Sequence, residues 1–484
     1  MMGNRKSLKR NYIYNLIYQL LVIILPLVTT PYISRILYAD GIGVVSFAES
    51  IVSYFVLFAS LGVGLYGQRE ISYYQDDKDK RSEVFWNTLI FKFITSAVIL
   101  LLYIIVSIFY FKSNIYYIFS ISILSVFFDI TWFYQGMEEF GKIVVRNIIF
   151  KILSIAFIFL FVKSKSDIGL YAFSICFFTF MGSISLWVYL KHYVSKPIFE
   201  NIKPFKDFRV IISLFIPTIA IQVYTVLDKT MIGIITKSDF ENGYYDLSIK
   251  ISKILLTIIT SLGVALIPRV GLLYSNNDDD NLKKLIYKSY RFVWFMGIPL
   301  CFGLFMISNN FVPWFLGAGY DKVAILIKIL SFLIIIIGLS NVTGMQYLIP
   351  TKKQNAFTIS VCIGALVNLV LNYILIRNFL SIGAATASVI AECAVTAYQI
   401  YRIRKEISAK KILFEGRNYF IAGFFMVLII YVFMRNLIPS VKNSMLIAIV
   451  GAVSYFVILT ILKDKFLYEY IEYFRNRAFR TRKL

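Results

Sequence analysis

The stretch NYIYNLIYQLLVIILPLVTTPYISRI, residues 11–36, followed by GVVSFAESIVSYFVLFASLGVGLYGQ, residues 43–68, decides the fold class. Each exceeds the roughly 20 mainly apolar residues that a helix needs to cross a hydrocarbon core. Comparable windows recur at residues 82–109, 115–135, 145–163, 167–190, 209–236, 244–267, 289–309, 322–343, 355–376, 382–401, 418–435 and 444–462. The pattern predicts an all-α integral membrane protein of about fourteen transmembrane helices.

Composition agrees. The 484 residues are 59% hydrophobic and only 16% charged, too apolar for a water-facing surface over such a length. The connections between windows are too short to hold a separate domain. The first window is too long for a signal-peptide core and shows no convincing cleavage site, so it reads as an uncleaved span. Cys176, Cys301, Cys362 and Cys393 fall inside apolar windows without CxxC spacing, and His192 is the single histidine. Zinc sites, redox pairs and histidine-based triads therefore lack their residues. No metal, cofactor or catalytic residue is expected, and the chain reads as a non-enzyme. The run Asp278, Asp279, Asp280 resembles a DxD sugar-nucleotide motif, but without a surrounding nucleotide-binding domain it reads as a solvated loop.

The formal net charge is +23. If the N-terminus is cytoplasmic, 35 of the 50 Lys and Arg fall in cytoplasmic segments, 8 in external connections and 7 inside windows. This is the positive-inside asymmetry, so the excess charge reads as topology and contact with anionic lipid rather than nucleic-acid binding. Both termini are expected to be cytoplasmic.

The seven cations counted within windows are Arg35, Lys92, Lys151, Lys229, Lys250, Lys253 and Lys328, the edge residues Arg146, Lys163, Arg209, Arg291, Lys322 and Arg435 being counted with the adjoining connections; apart from the edge residues Glu83 and Asp167, the acids there are Glu49, Asp129, Asp228, Asp246 and Glu392. A charge at a helix centre costs about 2.5 to 3.5 kcal/mol even on the lenient insertion scale, so such groups face a polar cavity or one another. Arg35 and Lys151 lie near span ends and can snorkel; Lys92 and Glu392 lie too deep to do so easily. Asp246, Lys250 and Lys253 share one helical face, as an ion-pair cluster or as part of a ligand site. The excess of cations points to an anionic cargo.

Pro26 interrupts the first window and Pro217 the seventh, each followed by polar residues, as in transporters whose broken helices line a cavity. After each comes a short connection leading into a glycine-bearing start, with Gly43 and Gly243 in matching places. This suggests six helices repeated once: an N-terminal lobe at residues 1–200, a C-terminal lobe at 201–408, and two further helices with a basic tail at 409–484. In the tail, Phe466, Leu467, Tyr470, Ile471 and Phe474 fit either the apolar side of an interfacial helix or a merely solvated segment.

The opening residues 11–72 closely resemble the start of bacterial polysaccharide repeat-unit flippases of the Wzx type, members of the multidrug, oligosaccharidyl-lipid and polysaccharide exporter superfamily. DITWFYQGMEEF from Asp129, LDKTMIG from Leu227, GYYDLSIKIS from Gly243 and ALIPRV from Ala265 add to the resemblance. It implies an exporter in the bacterial cytoplasmic membrane that turns undecaprenyl-diphosphate-linked oligosaccharide to the outer leaflet by alternating access, for capsule, O-antigen or a related glycan. Two six-helix lobes with pseudo-twofold symmetry would rock about a central cavity, as in lipid II flippases, where an extra helix pair forms a groove for the lipid tail. No ion-coupling site is matched. The expected partners are the lipid-linked oligosaccharide, membrane lipids and a downstream polysaccharide polymerase, with the chain itself a monomer.

Stripping a diphosphate and several sugars of water is the barrier, and buried cations can substitute for that water. Arg35, Lys92, Lys229, Lys250 and Lys253 are the expected diphosphate contacts, and Glu49, Asp129, Asp228, Asp246 and Glu392 the polar or ion-paired groups among them. Gln19, Ser46, Gln135, Tyr244, Tyr245 and Asn368 are candidate sugar contacts. Two rival readings are a drug or small-cation exporter, expected to have a cavity richer in carboxylates and aromatics, and a membrane glycan polymerase or ligase. The latter needs reactive groups on a sizeable external loop, whereas SNNFVPWFLGAGYD, residues 308–321, is short and lacks an acid and base pair.

Overall fold

The computed structural model describes residues 8–198, 200, 202–469 and 472, and no strand occurs among them. Side chains before Ile24, Gln19 among them, lie outside the described part, as do Tyr470, Ile471 and Phe474. In chain order the helices are α1 (Leu8–Ser60), α2 (Val63–Tyr73), α3 (Lys78–Val106), α4 (Asn114–Phe128), α5 (Thr131–Gly136), α6 (Phe140–Phe161), α7 (Ile168–Ser185), α8 (Trp187–Leu190), α9 (Phe208–Thr236), α10 (Asp239–Ser275), α11 (Asp279–Leu316), α12 (Asp321–Leu330), α13 (Phe332–Asn341), α14 (Gln354–Ile403), α15 (Ala409–Met434) and α16 (Val441–Ile461). π-helical turns at Ser107–Phe111 and Val342–Leu348 extend α3 and α13.

Eleven described helical segments are long and apolar enough to cross a membrane. Two of the long helices, α1 and α14, are each a pair joined at a non-helical residue, Tyr38 (φ 57°) and Leu380 (φ 55°). Both joints fall in the gaps between sequence windows, and α9 adds a further 29-residue helix. The architecture is therefore the expected all-α membrane one, with room for fourteen spans. The expected interruption at Pro26 does not divide a helix, since α1 continues through Pro26 and Pro31. In an apolar surrounding a helix is the conformation that satisfies every other backbone group, so it persists past a proline.

The chain divides into two compact units, residues 1–243 and 244–484. In the first, one core gathers Phe85, Phe91, Trp132, Phe133 and Tyr134 with Leu186 and Ile211, and another gathers Val45, Val52, Tyr103, Phe119 and Ile123 with Cys176. Between α8 and α9 the chain is tied down along α3. Arg81 donates to the Tyr193 carbonyl at 2.7 Å, Trp86 Nε1 to the Ser195 carbonyl at 2.9 Å, and the Ser195 amide to Ser82 Oγ at 2.9 Å.

In the second unit α15 and α16 pack on α11. Trp294 Nε1 donates to the Ile412 carbonyl, and Tyr455 to the Phe295 carbonyl, both at 3.0 Å. Asp278 caps α11 by accepting from the Asn281 amide. The Asn281 hydrogen bonds hold its carboxyl below the ordinary range, so the acidic run serves as a helix start. The tail begins by folding inward: Asp464 accepts from the amides of Phe466 and Leu467, and Phe466 is buried beside Phe295.

Candidate functional site

The site grows from a helix break. α4 ends at Phe128, Asp129 takes an extended conformation (φ −74°, ψ 111°), and α5 starts two residues later. Asp129 Oδ1 accepts from the Thr131 amide at 3.2 Å and from the Thr131 hydroxyl, an Asx turn that offers the backbone an alternative to helix. Such a break releases carbonyls that must find donors inside the protein. The Phe128 carbonyl accepts from Trp187 Nε1 at 2.7 Å, and the Asp129 carbonyl from Lys92 Nζ at 2.5 Å. Lys92 is 3% exposed and its nitrogen also lies 3.6 Å from Asp129 Oδ2. One lysine therefore answers both the freed carbonyl and the carboxylate charge.

Beside this break opens a cavity of about 520 Å³, within the range of small-ligand sites. Its charged lining is Lys92, Asp129, Arg146 and Lys151, joined by Asn147, Ser154 and Thr179. Arg146 is oriented through Asn147 Oδ1, which accepts from Nε at 3.0 Å and from Nη2 at 2.7 Å; Nη1 reaches the Gly182 carbonyl at 3.3 Å and Thr131 Oγ1 at 3.4 Å. The guanidinium is thus fixed by contacts to α5, α6 and α7. Lys151 stands exposed on the same helix α6. Three cations face one carboxylate, and the Trp132 indole that walls the cavity has an N–H without a protein partner.

Trp132 stands where it does because position 67 has no side chain. A Cβ there would lie 2.3 Å from the indole Cε3, with the ring also stacked 5.6 Å from Phe85. Gly67→Ala is therefore expected to shift this wall and to cost about 1–3 kcal/mol as an overpacked core, read as a lowered melting temperature in detergent together with reduced transport.

Of the ten charged residues expected at the site, Lys92 and Asp129 line this cavity. Arg35, Glu49, Asp228 and Lys229 belong to the same unit but not to its lining. Asp246, Lys250, Lys253 and Glu392 belong to the second unit, where Asp246 is fully buried and pairs with Lys250 at 2.6 Å, as the spacing allows. Among the candidate sugar contacts, Tyr245 pairs with Ser388 at 3.2 Å, Asn368 accepts from Asn372 at 3.0 Å, and Tyr244 donates to the Gly319 carbonyl at 3.2 Å. Arg146 was not among the expected contacts. It sits at the beginning of the 145–163 window, a position that reads as an interfacial cation, although an arginine followed by Lys151 inside an apolar window is a signal that singles it out.

The described residues, helical throughout with many membrane-length apolar helices and a cation-lined cavity inside one unit, define a multi-pass membrane protein. The solved structures it is similar to share that fold. A lipid II flippase, MurJ, in an inward closed conformation matches with a TM-score of 0.69 and 17% identity over 93% of this chain and 98% of that one. An inward-facing multidrug resistance transporter of the MATE family and MOP superfamily matches with a TM-score of 0.60 and 13% identity over 82% and 98%. Among curated relatives, a protein of Escherichia coli (strain K12) provisionally named an O-antigen transporter is 25% identical over 407 residues, 83% of this chain and 98% of that one. A Haloferax volcanii protein provisionally named a low-salt glycan biosynthesis flippase is 26% identical over 194 residues, 39% of each chain. The model of the polysaccharide biosynthesis protein family matches residues 8–274, more than half of the sequence. The chain belongs to that family, and the resemblance to polysaccharide flippases is borne out.

Proposed function

We propose that this protein is a flippase that carries undecaprenyl-diphosphate-linked oligosaccharides from the inner to the outer leaflet of a bacterial cytoplasmic membrane, for surface polysaccharide assembly. The observation that carries the reading is the cavity at the α4–α5 break, where Lys92, Arg146 and Lys151 outnumber the single carboxylate Asp129. Cations lining a cavity can replace the water that a diphosphate would otherwise have to give up. In this reading Arg146 and Lys151 hold the phosphates, hydroxyl and amide groups of Ser154, Thr179 and Asn147 meet sugar, and Lys92 keeps the break in shape. A carboxylate-rich cavity would have favoured a small-cation or drug exporter. The names of the relatives, transporters and flippases, likewise support a carrier rather than a polymerase or ligase.

Both termini are cytoplasmic in this proposal, as the distribution of Lys and Arg supports. The protein acts as a monomer and delivers its cargo to a polymerase outside. The deciding experiment reconstitutes the purified protein in liposomes with a fluorescent undecaprenyl-diphosphate oligosaccharide and follows its loss from one leaflet with a membrane-impermeant quencher. Flipping well above that of protein-free liposomes is expected. Movement of a cationic dye without movement of the glycolipid would overturn the reading in favour of a drug exporter.

A further inference from the structure

A second, smaller pocket opens in the first unit, apart from the cavity at the α4–α5 break. It lies between the start of α3 and the chain that enters α9, and it holds about 50 Å³. That is room for roughly three to five waters, or for a short group of as many heavy atoms. The sequence beside it, KPFKDFR at residues 203–209, interleaves basic and aromatic side chains, a composition suited to a membrane interface. From within, the segment is anchored on α3: the buried Phe91 ring lies 5.5 Å from Phe205 and 6.2 Å from Phe208, and the Lys203 amide donates to Asn87 Oδ1 at 2.5 Å. Phe205 and Phe208 nevertheless remain largely exposed, with Ile198 before them and Ile216 after. The pocket therefore sits beside apolar surface that lipid chains can cover.

Its charges come in two signs. Lys203, Lys206 and Glu83 are exposed, and Asp207 is half-buried. Asp207 Oδ2 accepts from the Tyr66 hydroxyl at 2.6 Å, and a carboxylate has capacity for further donors. The most buried polar group of the wall is Thr88, 2% exposed, whose hydroxyl has no partner among the described residues. A buried hydroxyl left unpaired is unfavourable, so this wall favours a polar occupant. An ammonium group can donate to Asp207 and to Thr88 Oγ1 together, while a phosphate joined to it by two carbons meets the exposed lysines.

We propose that this pocket binds a phospholipid with a primary-amine headgroup of the phosphoethanolamine type. Its ammonium enters toward Asp207 and Thr88, its phosphate rests on Lys203 and Lys206, and its chains lie along Phe205 and Phe208. A trimethylammonium headgroup has no N–H to donate and exceeds the space; a glycerol headgroup brings no positive charge to Asp207. In the topology proposed above the pocket opens on the cytoplasmic side, so the lipid comes from the inner leaflet.

The test uses the full chain, purified in detergent, stripped of lipid and mixed with dioleoyl phosphatidylethanolamine, phosphatidylcholine or phosphatidylglycerol, with bound lipid counted by native mass spectrometry. Retention of phosphatidylethanolamine about fivefold above either other lipid is expected. Asp207→Asn and Thr88→Val are each expected to remove most of this preference, and Lys203→Ala with Lys206→Ala to lower phosphatidylethanolamine retention severalfold. Thr88→Val removes only the unpaired hydroxyl, so its lipid-free melting temperature is expected to match or exceed that of the native chain, while the rise that phosphatidylethanolamine gives the native chain is lost. Should Asp207→Asn not reach the membrane, Thr88→Val alone decides.

Equal retention of phosphatidylethanolamine and phosphatidylglycerol, or of phosphatidylethanolamine and phosphatidylcholine, would overturn the amine assignment. A preference undiminished in Thr88→Val would overturn the site. Water-soluble phosphoethanolamine raising the melting temperature as much as the lipid does would overturn a lipid as the occupant. None of these readouts uses transport, so this site and the proposed flippase function stand or fall separately.

Discussion

Arg146→Ala is expected to lower glycolipid flipping by roughly ten- to a hundredfold while the protein reaches the membrane in normal amounts. A hydrogen bond to a charged group contributes about 1.5–3 kcal/mol, and each 1.4 kcal/mol is about a factor of ten. The bonds that hold Arg146 in place, to Asn147, Gly182 and Thr131, run from 2.7 to 3.4 Å. The contacts to Gly182 and Thr131 are long, and Asn147, the close partner, lines the cavity where water can take the guanidinium's place, so the fold is little affected. The loss therefore falls on the cargo. Arg146→Lys keeps the charge but not the planar fork, so it is expected to recover only part of the activity. Added inorganic pyrophosphate is expected to inhibit the native protein more than Arg146→Ala. Equal inhibition of the two would count against Arg146 as a phosphate contact.

Which parts of this molecule could be read from sequence follows from the range of the forces involved. The spans were legible because apolar length is a local property that the bilayer dictates. The joints at Tyr38 and Leu380 fell in the gaps between windows for the same reason. The break at Asp129 was not legible, since residues 115–135 read as one apolar window. Only the folded chain shows that Lys92, Trp187 and Thr131 together satisfy the groups a break exposes. Gly43 and Gly243 were recognisable as matching positions of a repeat, but their close approach to each other's helix backbone depends on how the helices cross. Lys92 and Asp129 were picked out by the cost of burying charge, which is general. Arg146 escaped because its position near a window edge suggested an interfacial cation, whereas the Gly182 carbonyl and Thr131 draw it into the cavity from distant parts of the chain.

The same accounting separates Lys92 from Arg146. Lys92 is spent on the Asp129 carbonyl and carboxylate, so it is a positioning residue rather than a contact to the cargo. Lys92→Ala leaves a freed carbonyl and an uncompensated carboxylate. Breaking a buried pair costs about 3–5 kcal/mol, and since the Asp129 side chain is 37% exposed solvent relieves part of this, so a loss of about 3 kcal/mol is expected. Asp129→Ala strands the more deeply buried ammonium and also removes the Asx turn, so it is expected to cost at least as much. Lys92→Gln with Asp129→Asn removes both charges, keeps an amide donor for the Asp129 carbonyl, and leaves an amide oxygen to hold Thr131. Its destabilisation is expected to be well below the sum of the two single changes, with the coupling read from melting temperatures in detergent as a double-mutant cycle. This double variant also tests the role: with the break intact and Arg146 untouched, flipping is expected to stay within a few-fold of the native rate. A stable double variant with flipping as poor as that of Arg146→Ala would make Lys92 a phosphate contact after all.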